Sequence, residues 1–204
     1  MSGALAGVAT PPVQRRYPRS LIDRLRLADG REVIVRPVLA KDAAAEQDFV
    51  RALSPASRLR RFHVGLRELP PSMLQAMTRV DHDRHVAVIA ETLDDDNEPP
   101  IVADARNVRD DDGTTAEFAI AVADDWQGEG LGRALMQRLA GHAARHGITH
   151  LVGDVLPGNA AMFAVTEQLG GARVTSPQGA GVVRVRIAVA GMRDGSAVHA
   201  HHQG

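Results

Sequence analysis

Between Val122 and Gly132 a β-type run gives way to a glycine-rich turn, Gln127-Gly128-Glu129-Gly130-Leu131-Gly132, and then to an amphipathic helix. Three glycines within five residues let the backbone approach a ligand closely, and the first turn of a helix carries N–H groups with no intrahelical partner. Those donors and the positive end of the helix dipole suit a phosphate anion. The same residues also make plain strand-to-helix turns, so the pattern gains its meaning from what surrounds it.

The spacing separates kinds of phosphate site. A nucleoside triphosphate loop needs Lys followed by Ser or Thr after its second glycine, and Leu131 and Gly132 stand there instead. A dinucleotide fingerprint needs a glycine triplet at other intervals near the start of a βαβ unit, with an acidic residue about 20 positions on, and neither condition is met.

Composition narrows the classes further. A chain of 204 residues suits one well-buried core, and its aromatic share of 3% shifts that core toward Ala, Val, Leu and Ile. A formal net charge of −1 gives no global field to draw in nucleic acid or an anionic membrane. With no cysteine, disulfides, thiolate catalysis and cysteine-ligated metals are excluded. No apolar run reaches the roughly 20 residues of a membrane span, and no signal-peptide pattern precedes the domain. A soluble, cytoplasmic protein is expected. Of the 24 basic residues only Lys41 is a lysine, a bias that genomic base composition explains simply.

Residues 1–20, with Pro11, Pro12 and Pro18 and no periodicity, suggest a disordered leader, and 192–204 a disordered tail; the domain lies over 21–191. It opens with alternating runs at Leu21–Leu27 and Glu32–Val38 around Asp29-Gly30, a hairpin signal. Asp42 is placed to cap a helix ending near Leu53, Ser54-Pro55 starts a second through Phe62, and Pro70-Pro71-Ser72 precedes a third through Arg79. His85–Thr92, Ile101–Arg109 and Thr115–Val122 are strand patterns joined by turn-rich stretches, the acidic Asp94–Asp96 and Asp110–Asp112 among them. A helix over Gly130–His146 places Leu131, Ala134, Leu135, Leu139 and Ala143 on one face. Strand His150–Val155, helix Asn159–Leu169 and strands near Arg173–Thr175 and Val182–Val189 follow.

Gln127, Gly130 and Gly132 match the pattern Gln/Arg-x-x-Gly-x-Gly/Ala, and on this motif, with the element order, the chain resembles the GNAT superfamily of N-acetyltransferases. The resemblance implies an α/β (α+β) GNAT fold, a mixed and mostly antiparallel sheet flanked by helices. It implies acetyl-CoA as cosubstrate, its pyrophosphate held by Gln127, Gly128, Gly130, Gly132 and Arg133, and its arm along Ile120 and Val122. Asn159, with Met162 at helical spacing, matches a second motif in which the asparagine contacts the cofactor arm; a helix cap is its other reading, and the two coexist.

An amine acceptor raises a protonation problem, because a lysine of pKa near 10.4 is free base in only about one molecule in 2,500 at pH 7. Glu117 is the candidate base. Strand alternation places it with Ala119 and Ala121 on one face, leaving room beside a single carboxylate, and partial desolvation there would raise its pKa into a general base's range. A solvated glutamate at a strand start is the alternative.

The segments Glu32–Val38, Ser57–Phe62, Glu68–Met73, Thr78–Ala90 and Ala116–Ala119 are similar to the acetyltransferase domain of bacterial Pat-type protein lysine acetyltransferases over residues 30–189. In that group the glutamate at the matching place serves as base, and the acceptor is a protein lysine. A small-molecule amine stays open as acceptor, since the fold does not fix it, and a non-catalytic acyl-CoA sensor is the rival from another class. Many family members carry a tyrosine acid where Thr166 stands, and a phenylalanine where Gly171 stands; no side-chain acid is assigned, and the thiolate leaves unaided. Asp81-His82-Asp83-Arg84-His85 has no recognised metal spacing and suggests a polar turn, so no metal is expected. Arg58, Arg60, Arg61 and Arg67 form either a solvated helix face or a basic rim for an acidic partner.

Overall fold

The computed structural model describes residues 17–93, 99–177, 179 and 181–192. Among these residues eight strands form one sheet in the order β1-β2-β3-β4-β5-β6-β8-β7. They are β1 Asp23–Arg26, β2 Glu32–Pro37, β3 His85–Thr92, β4 Ile101–Arg109, β5 Thr115–Val122, β6 His150–Val155, β7 Ala172–Val174 and β8 Val183–Ala188. Among the described residues five α-helices flank it: α1 Ala43–Ala52, α2 Pro55–Phe62, α3 Pro71–Thr78, α4 Leu131–Arg145 and α5 Ala160–Gln168. All neighbouring strands pair antiparallel except β5 and β6, so the expected mixed, mostly antiparallel sheet is what forms.

Local chemistry accounts for the elements. Gly30, at φ +88, closes the β1–β2 hairpin, with Leu27 N–H donating to Arg31 O. The first run is shorter than its alternation implies, because Arg19–Leu21 winds into a single 3-10 turn that buries Leu21. Ser54 caps α2 by accepting from Ser57 N–H, and Pro55 holds the first helical position. Asp42 does not cap α1 through its side chain; its carboxylate turns back to Leu39 N–H and to Arg36.

The sheet buries two different faces. On the rear, Leu131, Leu135 and Leu139 of α4 pack against Val33, Val35, Val86, Val88, Ala103 and Ala105, each leucine contributing roughly 2 kcal/mol of apolar burial. A second rear cluster joins Phe118, Met136, Leu151, Phe163 and Ile187. On the front, α1 and α3 cover Ala87, Ile89 and Ala121 with Phe49, Val50 and Met77. The front opens only at β8, where Val185 and Ile187 are buried while Arg186 and Ala188 are exposed; on β6 the front residue Val152 is still buried.

The expected leader lies outside the described residues over 1–16, but from Tyr17 the chain is packed. The Tyr17 hydroxyl donates to Pro37 O, and its ring meets His82 edge-on. At the other end Met192, where the tail was expected to begin, packs on the rear cluster; 193–204, with His199, His201 and His202, and the acidic Asp94–Asp96 lie outside the described residues. No helix of the described residues is long and apolar enough to cross a membrane.

Candidate active site

β5 and β6 pair only at Thr115 with His150, Ala116 with Leu151 and Glu117 with Val152. Past that point the strands separate. The Phe118 ring lies over Gly153, where a Cβ would come within 2.7 Å of it. On its other edge β5 stays paired to β4 as far as Val122. Because Ala123 N–H donates to Val102 O on β4, strand alternation turns Ala119 and Ala121 toward β4 and Ile120 and Val122 toward the gap. The N–H groups of Ile120 and Val122 are thereby set along an open slot.

The slot leads to the glycine turn. Gly128 and Gly130 adopt φ +86 and +87, conformations costly to side-chain-bearing residues, and a Cβ at either would meet nothing within 4 Å. The first hydrogen bond of α4 is Ala134 N–H to Gly130 O, and no partner is found among the described residues for the N–H groups of Gly128 to Arg133. An anion placed there meets a run of free donors at a helix N-terminus. A cavity of about 510 Å³ joins this turn to Ile120, Val122, Arg133 and Asn159. The donor set fits a pyrophosphate, and the slot fits a thin arm.

Gln127 lines the cavity too, but its side-chain Nε2 donates to Val122 O and to Ser57 Oγ. Its amide thus fixes the turn against β5 and α2. Asp124 does the same from the other side, accepting from Ser54 N–H, Ser54 Oγ and Ser57 Oγ. Burial pushes the Asp124 carboxyl up, but the Ser54 and Ser57 hydrogen bonds outweigh it and hold the group below its ordinary value. This latch between α2 and the turn is not disclosed by the sequence, where Ser54-Pro55 marks only a helix start.

A second cavity of about 240 Å³ adjoins the first and is lined by Arg60, Arg61, His63, Glu117, Asp154 and Asn159, with Phe62, Phe118, Ala119, Ile120, Val155 and Met162 between them. Arg60, Arg61, Ile120, Asn159 and Met162 line both. Asn159 Oδ1 accepts from Met162 N–H to cap α5, which leaves its amide nitrogen for the cavity. Glu117 stands at the wall, exposed. The partial desolvation expected for it is therefore not found. Behind Glu117, Asp154 accepts from Arg184 and Ser176, and the Arg184 hydrogen bonds keep its carboxyl below the ordinary value against the effect of burial.

Deeper under α1 lies a charge cluster that no sequence pattern discloses. Asp104 and Arg106 of β4 are hydrogen bonded to each other, Arg106 Nη1 also donates to Met77 O, and Glu46 of α1 lies 3.6 Å from Arg106. Glu46 is fully buried with no hydrogen-bond partner on either oxygen, and burial, aided by the Asp104 charge, raises its pKa to about 8. His85, beside Arg106, is lowered to about 4 by burial and by that guanidinium, so it is neutral at pH 7.

The four arginines of the α2 region divide. Arg58 donates to carbonyls of Val50, Arg51 and Leu53 at the end of α1, Arg61 turns inward to Asp104, and Arg60 and Arg67 are exposed. They form neither a continuous solvated face nor a rim. In the 81–85 segment, Asp81 Oδ1 accepts the N–H groups of Asp83 and His85, the geometry of a polar turn. Among the described residues no group of three or more His, Asp or Glu is arranged to hold a metal.

Residues 50–170 match the model of the Acetyltransferase (GNAT) family. The chain is 33% identical over 136 residues to an acetyltransferase of Pseudomonas aeruginosa, covering 67% of this chain and 73% of the relative. It is 29% identical over 164 residues to the acetyltransferase Pat of Mycolicibacterium smegmatis, covering 80% of this chain and 48% of that protein. The crystal structure of the GNAT domain of S. lividans PAT superposes with a TM-score of 0.77 at 28% identity, covering 85% of this chain and 99% of that one.

Proposed function

The chain belongs to the GNAT acetyltransferase family, and we propose that it moves the acetyl group of acetyl-CoA directly to an amine, most simply a protein lysine side chain, with Glu117 as base. The observation that carries this is the separation of β5 from β6 next to a helix N-terminus with free N–H donors. Acetyl-CoA supplies a thioester whose carbonyl carbon an amine attacks. Gly128, Gly130, Gly132 and Arg133 hold its pyrophosphate, and Gln127 fixes the turn that does so. Ile120 and Val122 bond the arm through backbone groups and offer an N–H to the carbonyl oxygen as it gains charge, while Asn159 steadies the arm from the far wall.

Glu117 takes the proton of the attacking amine, directly or through a water, as the C–N bond forms and the C–S bond breaks; the sulfur leaves as a thiolate and is protonated by solvent. A protein lysine is favoured over a small amine by two observations. The similarity to Pat enzymes is one. The other is the exposure of Glu117 at the wall of the smaller cavity and of Arg186 and Ala188 on the same face of the sheet, which leaves room for a large acceptor.

Purified protein, acetyl-CoA and a panel of lysine peptides and small amines test this. Glu117→Gln is expected to bind acetyl-CoA as wild type does and to lower kcat by about 100-fold or more. Wild type that binds acetyl-CoA yet acetylates no member of the panel would point instead to a non-catalytic acyl-CoA sensor.

A further inference from the structure

Arg61 differs from the other inward-turned arginines. Arg106 is bonded to Asp104, Met77 O and His85, Arg36 to Asp42, Glu91 and Pro37 O, and Arg58 to three carbonyls. Arg61, with 11% of its side chain exposed, has one hydrogen bond among the described residues, to Asp104 Oδ1 at 3.5 Å. Arg106 already holds that carboxylate. A guanidinium presents five donors in a planar fork, and none of the Arg61 nitrogens is among the sealed, unpartnered polar atoms of the interior. Since the residue lines both cavities, its remaining donors face them.

The surrounding charges compensate this cation only in part, through the Asp104 carboxylate that it shares with Arg106. From β4 it meets Asp104 and Arg106, which pair with each other, and behind them His85 of β3 is neutral. Asp42, before α1, is paired with Arg36, and Glu46 of α1 has no hydrogen-bond partner. Asp154 of β6 is paired with Arg184. On its own helix stand Arg60 and, at the helix end, His63; from β5 comes Glu117, with no ion pair to either arginine among the described residues. Besides that long hydrogen bond the guanidinium has only the Phe62 ring, 4.9 Å away, among the contacts of the described residues, and a largely desolvated cation so held is a poor use of an interior site unless an anion arrives to meet its fork.

The position of Arg61 says which anion. On the acetyl-transfer reading, on which this inference rests, the anions of CoA itself lie at the glycine turn, where α2 is touched at Ser57. Arg61 is four residues further along α2, about 6 Å, beside the uncharged part of the arm and the acceptor. We infer that Arg61 is a carboxylate-recognition site in the transfer cavity, for a carboxylate borne either by the acyl group or by the acceptor close to its amine.

Two arms separate the sources. In the donor arm, affinity for succinyl-CoA is compared with that for acetyl-CoA by calorimetry. In the acceptor arm, kcat/KM with acetyl-CoA is compared for lysine peptides flanked by Asp or Glu against the same peptides with Asn or Gln. One arm is expected to show a preference of about tenfold or more for the carboxylate in wild type. In Arg61→Gln it should fall to within about threefold of unity, and Arg61→Lys, with charge but no fork, should keep part of it. Each ratio is internal to one protein, so a general loss of activity does not mimic the result. If Arg61→Gln fails to fold, the wild-type ratios and Arg61→Lys decide. Ratios near unity in both arms, or a preference that Arg61→Gln leaves intact, would overturn the inference while acetyl transfer stands. Failure of folded wild type to bind acetyl-CoA at all would overturn both.

Discussion

The rear and the front of this sheet are built from the same strands and solve burial in opposite ways. Behind β1 to β5, α4 closes an aliphatic layer in which Leu131, Leu135 and Leu139 meet valines and alanines. In front, α1 closes over Glu46, Asp104 and Arg106 as well as Phe49 and Val50, so ions sit inside the fold. The leucines of the rear can be replaced piece by piece at the cost of methyl groups. The front cannot, since each buried ion depends on its neighbours. The cavities open at the junction of the two, where β5 leaves β6, and the charged layer supplies one of their walls through Arg61.

The largest effect that would sharpen this contrast is Asp104→Ala. It strands two guanidinium groups, Arg106 and Arg61, and is expected to cost about 3–5 kcal/mol in urea unfolding. A loss below about 1 kcal/mol would mean the front cluster is solvated and the two faces are alike. Leu139→Ala on the rear should cost somewhat less, about 3 kcal/mol, and leave kcat/KM of the folded protein within about threefold of wild type. A large kinetic loss there would break the separation between a load-carrying rear and a chemical front.

A smaller effect comes from pH. Glu46 has an ordinary value near 4.5 in the unfolded chain and about 8 when folded. Between those values the folded protein holds a proton that the unfolded chain has released, so stability falls with rising pH. The contribution is complete below 4.5 and lost as pH climbs through 8. Glu46→Gln carries no charge in either state, so its stability relative to wild type should rise from pH 5 to pH 9, by about 1 kcal/mol or more. Urea midpoints at pH 5, 7 and 9 measure it, and a constant difference would mean Glu46 is already ionised in the core.

The same contrast marks what the sequence discloses. Strands 85–92, 101–109, 115–122 and 150–155 fall where alternation places them, and the aliphatic spacing of α4 identifies its buried face, since periodicity reports shared faces directly. Alternation does not report whether a polar face is covered. Asp104 and Arg106 look like the wet side of β4 until α1 is laid over them, and Glu46 looks like an exposed helix residue. For Glu117 the error runs the other way: a side chain expected to be partly dry is exposed. The glycine turn was legible because positive φ and helix-start chemistry are local, whereas the Ser57–Asp124 latch joins residues 67 positions apart.

Binding of acetyl-CoA by calorimetry, comparing wild type with Gly130→Asp, tests the cofactor site most directly. Aspartate is among the residues best tolerated at positive φ, and it sets a negative charge in the open space beside the free N–H groups; Gly130→Asn serves as the neutral control. Saturable binding by wild type in the micromolar range, kept within several-fold by Asn and weakened at least tenfold by Asp, is expected. Absence of binding by well-folded wild type, or equal affinity in all three proteins, would reduce the glycine turn to architecture.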